Sequence, residues 1–380
     1  MQTSCSKRKL ILVAGARPNF MKIAPLMQAL KNHETIQPIL VHTGQHYDEK
    51  MSDLFFKQLE IPRPEINLEV GSASHAVQTA RIMERFEEVC NEVEPDMVLV
   101  VGDVNSTVAC TFVPAKLGIK TAHYEAGLRS RDKSMPEEIN RMVTDSICDY
   151  FFTTSRDADE NLIQEGKKTE QIFRVGNLMI DTLLKWHDRL HDISLQLQPI
   201  QNGRVIDFSA SYREREFGVL TFHRPANVDD VQNLKSLLNA LCNISRDVPL
   251  IFPIHPRTQA SIQKHGLLSF VEEFQNLSLV KPTGYLEFIK LVKEAKFVIT
   301  DSGGIQEETT VLGKPCLTVR PNTERPITIL QGTNKLIQIQ DIESEVADIL
   351  AGHGKTGQVP PLWDGKSAGR IVDHLTKILA

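Results

Sequence analysis

Short apolar runs alternate with amphipathic segments along almost the whole chain, and this alternation constrains the fold more than any other feature. Three of these runs are LILVAGA at 10–16, DMVLVVGD at 96–103 and AKFVITDSGG at 295–304. Each precedes a segment whose apolar residues recur with helical spacing. Strands that are apolar throughout are covered by helices on both faces, so the pattern predicts parallel sheets of the α/β class.

The alternation is interrupted between about residues 187 and 215, where the sequence LQLQPIQNGR has no apolar period. We interpret this stretch as the connection between two doubly wound, Rossmann-like domains at 1–190 and 205–360. A chain of 380 residues is long enough for two hydrophobic cores. A last helical segment, 366–380, follows a stretch rich in Pro and Gly, and we expect it to pack back on the first domain.

Composition excludes several classes of function. A net charge of −5 argues against nucleic acid or an anionic membrane as the main partner. The six cysteines are scattered without a CxxC pair, and no apolar run approaches the length of a membrane span, so we expect a cytoplasmic protein. His42 and His46 have the spacing of metal ligands, but Gly44 between them indicates a loop, and we predict no metal site.

Charged residues stand where strands end or helices begin in the first half of the chain. In open parallel sheets, ligands bind at the carboxyl ends of the strands. The candidates are Arg17, Lys22, Asp103, Glu125, Glu137 and Arg141. Asp103 is also a typical helix N-cap, whereas Glu125 is a residue type that caps helices poorly. The isolated carboxylates and the cations around them therefore favour a site for an anionic ligand.

The second half has a sharper signal, ITDSGGIQEE at 299–308, where an apolar strand leads into a helix. Ser302, Gly303 and Gly304 allow close approach of a diphosphate to the first amides of that helix, and Glu308 is placed to accept hydrogen bonds from ribose hydroxyls. Two further strands end in histidines that precede arginine within two residues, namely His223 and His255. The chain lacks Walker A and GxGxxG patterns, which disfavours ATP hydrolysis and NAD binding. These features indicate a nucleotide-sugar enzyme.

Ten motifs in order resemble one known family. They are GARPNFMK, HTGQHYD, GDVNST, EAGLRS, MPEEINR, VGN, HRPANVDD, TDSGGIQEE, LGKP and TERP. Together they resemble the non-hydrolysing UDP-N-acetylglucosamine 2-epimerases over nearly the whole chain. The resemblance implies a GT-B-like fold of two Rossmann-like domains with a cleft between them, a homodimer, and no cofactor. It also implies reversible conversion of UDP-GlcNAc to UDP-ManNAc for surface polysaccharide synthesis.

The resemblance also implies roles for individual residues. Asp103, Glu125, Glu137 and His223 match the catalytic residues of the family, and Lys22 and Arg141 match residues beside them. The residues that match the UDP site are Arg17, His255, Phe288, Ser302, Gly303, Gly304, Glu308 and Arg325.

In the family's reaction, C2 loses its proton while UDP leaves C1, which gives 2-acetamidoglucal. UDP then adds back as a proton reaches the other face of C2. Such chemistry needs one group to remove the proton and a second to supply it. Glu125 and Glu137 suit these two tasks, although the sequence does not decide which is the base. We expect His223 to donate a hydrogen bond to the β-phosphate as UDP departs.

Several alternatives remain open at this point. Related enzymes with similar motifs act on UDP-2,3-diacetamido sugar uronates, and hydrolysing 2-epimerases release free sugar and UDP. A GT-B glycosyltransferase would share the UDP site, and a binding protein without catalysis would keep fewer of the acids. Family members that UDP-GlcNAc activates use a second site near the loop of Gln45 and His46, but segment 69–78 lacks the Arg-Gln pair typical of that site.

Overall fold

The computed structural model describes residues 7–44, 59–200, 206–208 and 216–380. These residues divide into two compact units. The N-terminal unit consists of Met1–Lys185 with Pro361–Ala380, and the C-terminal unit consists of Trp186–Pro360. Gln45 and His46 lie outside the described residues.

The N-terminal unit is built on seven parallel strands among its described residues. They are β1 (Arg8–Ala14), β2 (Ile36–His42), β3 (Ile66–Asn67), β4 (Met97–Val101), β5 (Lys120–Tyr124), β6 (Tyr150–Thr153) and β7 (Ile172–Arg174). The sheet order is β3-β2-β1-β4-β5-β6-β7. The direction of winding therefore reverses between β1 and β4, where Leu10 pairs with Met97 and Leu12 with Leu99.

Helices connect these strands with bounds close to those that periodicity predicts. They are α1 (Arg17–Leu30), α2 (His75–Val93), α3 (Asn105–Lys116), α4 (Pro136–Ile147), α5 (Arg156–Gln164) and α6 (Leu178–His187). The predicted helix at 19–31 begins two residues earlier because Pro18 suits the first helical turn. The last helix of the chain, Ser367–Leu379, packs against α1 in the same unit.

The C-terminal unit repeats the same winding with six parallel strands. They are β10 (Gly218–Thr221), β11 (Leu250–Pro253), β12 (Leu277–Val280), β13 (Phe297–Thr300), β14 (Cys316–Val319) and β15 (Asn334–Ile337), in the order β12-β11-β10-β13-β14-β15. A small antiparallel pair, β8 (Gln196–Leu197) and β9 (Ile206–Asp207), precedes them. Both sheets have the strand order of a dinucleotide-binding fold, and in both the winding reverses at the first strand.

The helices of the C-terminal unit are α7 (Pro225–Val228), α8 (Val231–Ile244), α9 (Pro256–Lys264), α10 (Leu268–Glu272), α11 (Tyr285–Glu294), α12 (Gly303–Val311), α13 (Pro326–Leu330) and α14 (Ile342–Asp348); the helix Ser367–Leu379 is α15. The described part of the predicted connection belongs to this unit's core, because Leu195, Leu197 and Phe208 pack with Phe217. Two doubly wound parallel sheets of this kind confirm the predicted fold class. No helix among the described residues is long and apolar enough to cross a membrane.

Candidate active site

Gly102 forms the turn at the end of β4, beside the point where the winding of the first sheet reverses. Its φ of 73° lies in the left-handed region, which favours glycine. A Cβ at this position would lie 3.1 Å from Asn19 Nδ2, 3.4 Å from Lys22 Nζ and 3.6 Å from Glu125 Oε2. The missing side chain therefore leaves room for a lysine and a carboxylate that converge on one spot.

Lys22 and Glu125 form a buried ion pair at this spot. The Nζ of Lys22 lies 2.6 Å from Glu125 Oε2, and both side chains are less than a tenth exposed. Glu125 directly follows β5 and has a φ of 71°, a strained value for a residue with a side chain. A buried charge left without its partner costs several kcal/mol, so each member of the pair holds the other in place. Both residues were predicted from the sequence, and the structure brings them together.

Arg141 joins two further carboxylates of the N-terminal unit. Its guanidinium contacts Asp103, at the end of β4, and lies 2.8 Å from Glu138 Oε2. The carboxylate of Glu138 also accepts hydrogen bonds from the backbone N–H groups of Ser130 and Arg131. Burial acts to raise the pKa of Glu138, but these hydrogen bonds and Arg141 outweigh it and hold the pKa below its usual value. Glu138 is thus an ionised anchor for Arg141.

Of the adjacent residues Glu137 and Glu138, Glu137 was predicted as catalytic, and its side chain is the less constrained of the two. Glu137 begins α4 half-buried, and among the described residues none makes a hydrogen bond with its side chain. This freedom suits a group that exchanges a proton with a ligand, whereas the buried Glu138 is committed to Arg141. Sequence reasoning missed Glu138, and its spacing of three residues from Arg141 on one helix was the available signal.

His223 and Asp301 form the corresponding pair in the C-terminal unit, at the ends of β10 and β13. The Nδ1 of His223 lies 3.1 Å from Asp301 Oδ1. Asp301 is fully buried and also accepts hydrogen bonds from Arg224 N and from Asn227 Nδ2. Burial acts to raise the pKa of Asp301, but His223, Arg224 and Asn227 together hold it low. The ionised Asp301 orients a partly exposed His223 with its Nδ1 as the donor.

His255 lies beside His223 but makes a different hydrogen bond. The centroids of the two imidazole rings are 5.4 Å apart. The Nδ1 of His255 accepts a hydrogen bond from Arg257 N at 3.2 Å and thereby caps α9. Burial and the neighbouring His223 lower the pKa of His255. His255 is therefore a neutral ring with its proton on Nε2, whereas the Nδ1 of His223 faces the carboxylate of Asp301 and is a donor.

Ser302 is the N-cap residue of α12 and lies two residues after the end of β13. A Cβ on Gly303 would lie 2.6 Å from Arg325 Nη1 and 2.7 Å from Glu324 Oε1, so only glycine fits here. Gly304 continues the first turn of the helix. Helix N-termini with glycines are suited to phosphate groups because the first N–H groups lack helical partners.

Arg325 is less available than the sequence suggests. Its Nε lies 2.9 Å from Glu307 Oε1, and its Nη1 contacts Glu324. Glu324 in turn lies 2.8 Å from Arg320 Nη2. Four buried side chains of alternating charge thus neutralise one another beneath the Gly303 turn. Two carboxylates therefore share the charge of Arg325, and its contact with UDP stays a prediction.

Glu308 is buried in α12, and among the described residues its Oε1 has no hydrogen-bond partner. Burial raises the pKa of Glu308 to about 8; the nearby Tyr285 hydroxyl opposes the shift, and the charge of Glu307 adds to it. The Tyr285 hydroxyl is buried without a hydrogen bond of ordinary geometry to the described part of the chain. Buried polar atoms in folded proteins nearly always have partners, so these atoms indicate a place where a polar ligand belongs.

The remaining predicted residues are less informative. Phe288, also on α11, is half-buried and packs against the core of the C-terminal unit. Arg17 begins α1. Within the described ranges, no three His, Cys, Asp or Glu side chains are grouped to hold a metal ion.

Comparison with known proteins identifies the family. The model of the UDP-N-acetylglucosamine 2-epimerase family matches residues 28–376. A UDP-N-acetylglucosamine 2-epimerase homolog of Methanococcus maripaludis is 43% identical over 87% of this chain and 88% of its own length. The UDP-2,3-diacetamido-2,3-dideoxy-D-glucuronate 2-epimerase of Pseudomonas aeruginosa is 37% identical over 97% of this chain and all of its own length.

A solved structure is similar as well. The crystal structure of the Methanocaldococcus jannaschii UDP-GlcNAc 2-epimerase, in complex with UDP-GlcNAc and UDP, matches with a TM-score of 0.86. Its sequence is 37% identical, and the match covers 97% of this chain and 99% of that one. The three comparisons agree with one another. The family model matches most of the chain, the relatives align over nearly their full length, and the solved structure has the same GT-B-like fold. The chain belongs to the UDP-N-acetylglucosamine 2-epimerase family.

Proposed function

We propose that this protein interconverts UDP-N-acetylglucosamine and UDP-N-acetylmannosamine by inverting C2 of the sugar. In the forward direction a base removes the C2 proton, the C1–O bond breaks, and UDP departs with the bonding electrons to leave 2-acetamidoglucal. UDP oxygen then bonds to C1 while a proton is delivered to the opposite face of C2. The second step consumes what the first releases, so no cofactor takes part.

The buried Lys22–Glu125 pair is the observation that supports this assignment most. A carboxylate fixed in a strained conformation at the end of β5, with a lysine 2.6 Å away, suits proton transfer at a weakly acidic C–H group. In this proposal Glu125 and Glu137 serve the two faces of C2. Asp103 and Arg141 bound the same region and orient the sugar.

The C-terminal unit binds the nucleotide in this proposal. The first amides of α12, at Ser302, Gly303 and Gly304, hold the diphosphate. His223, oriented by the ionised Asp301, donates a hydrogen bond to the β-phosphate and eases its departure. Because UDP must return to the same sugar, these donors also retain it between the two steps.

The uracil and the ribose of UDP occupy the region around α11 and α12 in this proposal. Glu308 has an unpartnered oxygen and accepts hydrogen bonds from the ribose hydroxyls. Phe288 packs on the uracil, and the Nε2–H of His255 donates to the nucleotide. Arg17 and Arg325 are the remaining proposed contacts of the phosphates, and Arg325 shares its charge with Glu307 and Glu324.

We also propose that the protein acts as a homodimer through the outer face of its first helices. The adjacent helices α2, α3 and α4 expose apolar side chains, namely Val77, Phe112, Ile139, Met142 and Val143. On α4 this arrangement is inverted, because its buried residues are Glu138, Arg141, Thr144 and Asp145. An apolar outer face of this kind is typical of a surface that another chain covers.

The second candidate substrate is a UDP-2,3-diacetamido sugar uronate, which the relative from Pseudomonas aeruginosa supports through its name. The same elimination and re-addition would apply, with a carboxylate at C5 of the sugar. In both cases we place the product among the precursors of surface polysaccharide and the enzyme in the cytoplasm.

Incubation in D2O separates these possibilities. With UDP-GlcNAc as substrate, proton NMR should reveal UDP-ManNAc with deuterium at C2 and no free sugar. Free N-acetylmannosamine with UDP would instead establish a hydrolysing enzyme. Turnover of only the diacetamido uronate would establish the second substrate, and UDP binding without exchange at C2 of either would refute the epimerase assignment.

A further inference from the structure

His123 lies behind the candidate active site with both ring nitrogens against acceptors. It belongs to β5, two residues before Glu125, and its side chain is fully buried. The Nδ1 of His123 lies 2.6 Å from Asp145 Oδ1, and the Nε2 lies 2.8 Å from the carbonyl oxygen of Gly102. A backbone carbonyl can only accept a hydrogen bond, so the proton on Nε2 is fixed by this geometry.

The carboxylate of Asp145 is surrounded by donors that stabilise its ionised form. Its Oδ2 accepts a hydrogen bond from Gly127 N at 2.9 Å and lies 2.7 Å from Arg129 Nη2. The contact of 2.6 Å between His123 Nδ1 and Asp145 Oδ1 requires one proton between the two atoms. Because Arg129 and the N–H of Gly127 already donate to this carboxylate, the proton belongs on Nδ1 of His123.

We propose that His123 is held as an imidazolium that donates from both ring nitrogens and positions the catalytic turn at Gly102. Arg129, Asp145 and His123 then form a buried row of alternating charge. The outer end of this row is Glu165, whose carboxylate accepts hydrogen bonds from both Nε and Nη2 of Arg129. The row is neutral as a whole, with Arg129, Asp145 and His123 buried and Glu165, at its outer end, 40% exposed.

The inner end of the row acts on the turn that carries the site. The N–H of Gly102 donates a hydrogen bond to Tyr124 O at 3.1 Å, and the carbonyl of Gly102 accepts one from His123, so the peptide groups on both sides of Gly102 are held. Gly102 is the residue against which Lys22 and Glu125 converge, and Asp103 follows it directly. His123 is therefore a positioning residue, because it touches the turn and not the substrate. Its effect on catalysis rests on the proposed function.

Nitrogen NMR of the whole protein labelled in its histidines tests the charge state directly. At a pH of about 8 an ordinary histidine is neutral and carries one ring proton. We expect one buried histidine with two ring N–H groups, and we expect its signals to be absent from His123→Asn and present in His353→Asn, which changes an exposed histidine. A single protonated nitrogen on His123 would overturn the proposal. This result would leave the epimerase assignment untouched.

Kinetics test the positioning role. In His123→Asn the shorter amide can still reach Asp145 but leaves the Gly102 carbonyl without its donor. We expect kcat, calculated from the concentration of UDP-binding sites, to fall about 10- to 100-fold. Small displacements of catalytic groups have effects of this size. The KM and the affinity for UDP should change less than about threefold. An unchanged kcat would refute the positioning role, and if the variant does not bind UDP, the NMR result on the unchanged protein decides. A wild-type protein without epimerase activity would refute the proposed function but not the charge of His123.

Discussion

Glu125 is the residue on which the proposed chemistry most depends. In Glu125→Gln the side chain keeps its shape but can no longer exchange a proton. We expect kcat to fall by about 10²- to 10⁴-fold, the usual contribution of a general acid or base. The affinity for UDP should change little, since Glu125 is not a proposed UDP-binding residue and all of those except Arg17 belong to the C-terminal unit. Steady-state kinetics with calorimetric UDP titration measure both quantities.

The control for this variant is Glu160→Gln. Glu160 is exposed on α5 and pairs with Arg156 one helical turn away. Exposed pairs of this kind contribute little, so both kinetics and UDP binding should remain as in the wild type. Equal kcat values for Glu125→Gln and the wild type would remove Glu125 from the mechanism.

Glu308 should make the stability of the unliganded protein depend on pH. Its pKa is about 8 in the folded protein and near 4.5 when exposed. Between these values the folded protein keeps a proton that the unfolded chain releases, so stability falls as the pH rises, by up to about 1.4 kcal/mol per pH unit. Glu308→Gln removes this loss. The Tm of the variant should therefore rise relative to wild type from pH 6 to pH 8 in calorimetric scans, and a constant difference would contradict the pKa shift.

At the scale of elements, the start of α12 makes a specific demand on Gly303. Gly303→Ala places a methyl group within 3 Å of both Arg325 and Glu324. These side chains are buried in an ion-pair network and cannot move away freely. We expect the affinity for UDP to fall at least about tenfold, because displacement of the turn misdirects its amides. Isothermal titration with UDP measures the effect.

Gly369→Ala is the matched control on another helix. Gly369 lies inside α15 with an ordinary helical backbone, and an added Cβ would have no described atom within 4 Å. Replacement of a helical glycine by alanine stabilises by about 0.5–1 kcal/mol. This variant should melt at a higher temperature and bind UDP normally. Normal UDP binding by Gly303→Ala as well would exclude the start of α12 from the nucleotide site.

The elements themselves follow well from the sequence, since the apolar runs predict the strands of two doubly wound parallel sheets, whereas the order of the strands comes from the structure. Residue roles within an element are harder to predict. The MPEEINR segment presents two adjacent glutamates, and only packing reveals that Glu138 anchors Arg141 while Glu137 stays available. Likewise, the two histidines of the second sheet look alike in sequence. The Nδ1 of His223 faces Asp301, whereas the Nδ1 of His255 accepts a hydrogen bond from the N–H of Arg257, and both partners are known only from the fold.

At the scale of the whole molecule, the proposed dimer can be tested at the outer face of α4. Ile139→Glu places a charge in the centre of the exposed apolar side chains, and burial of an unpaired charge is costly. We expect sedimentation to show a dimer for the wild type and a monomer for this variant. Ile163→Glu is the control, because Ile163 is equally exposed but lies on α5. A monomeric wild type, or a dimer that persists in Ile139→Glu, would refute this interface.

Ionic networks are the part of the molecule that sequence patterns predict least. The row from Glu165 to His123 joins residues that are distant in sequence, and the network around Arg325 joins Glu307 to the segment that contains Arg320 and Glu324. Charged residues are usually exposed, so nothing in their local sequence marks these as buried. Motif resemblance found residues expected to touch substrate, such as Lys22 and Glu125. It did not find the residues that hold them.

Positional isotope exchange tests the central claim most directly, namely that the C1–O bond breaks and re-forms at each inversion. UDP-GlcNAc would be prepared with 18O in the oxygen that bridges C1 and the β-phosphorus. If UDP leaves and rotates before it returns, phosphorus NMR should show the label moving into the non-bridging positions of the β-phosphate in both UDP-GlcNAc and UDP-ManNAc. Inversion at C2 with the label still confined to the bridge would contradict elimination and re-addition.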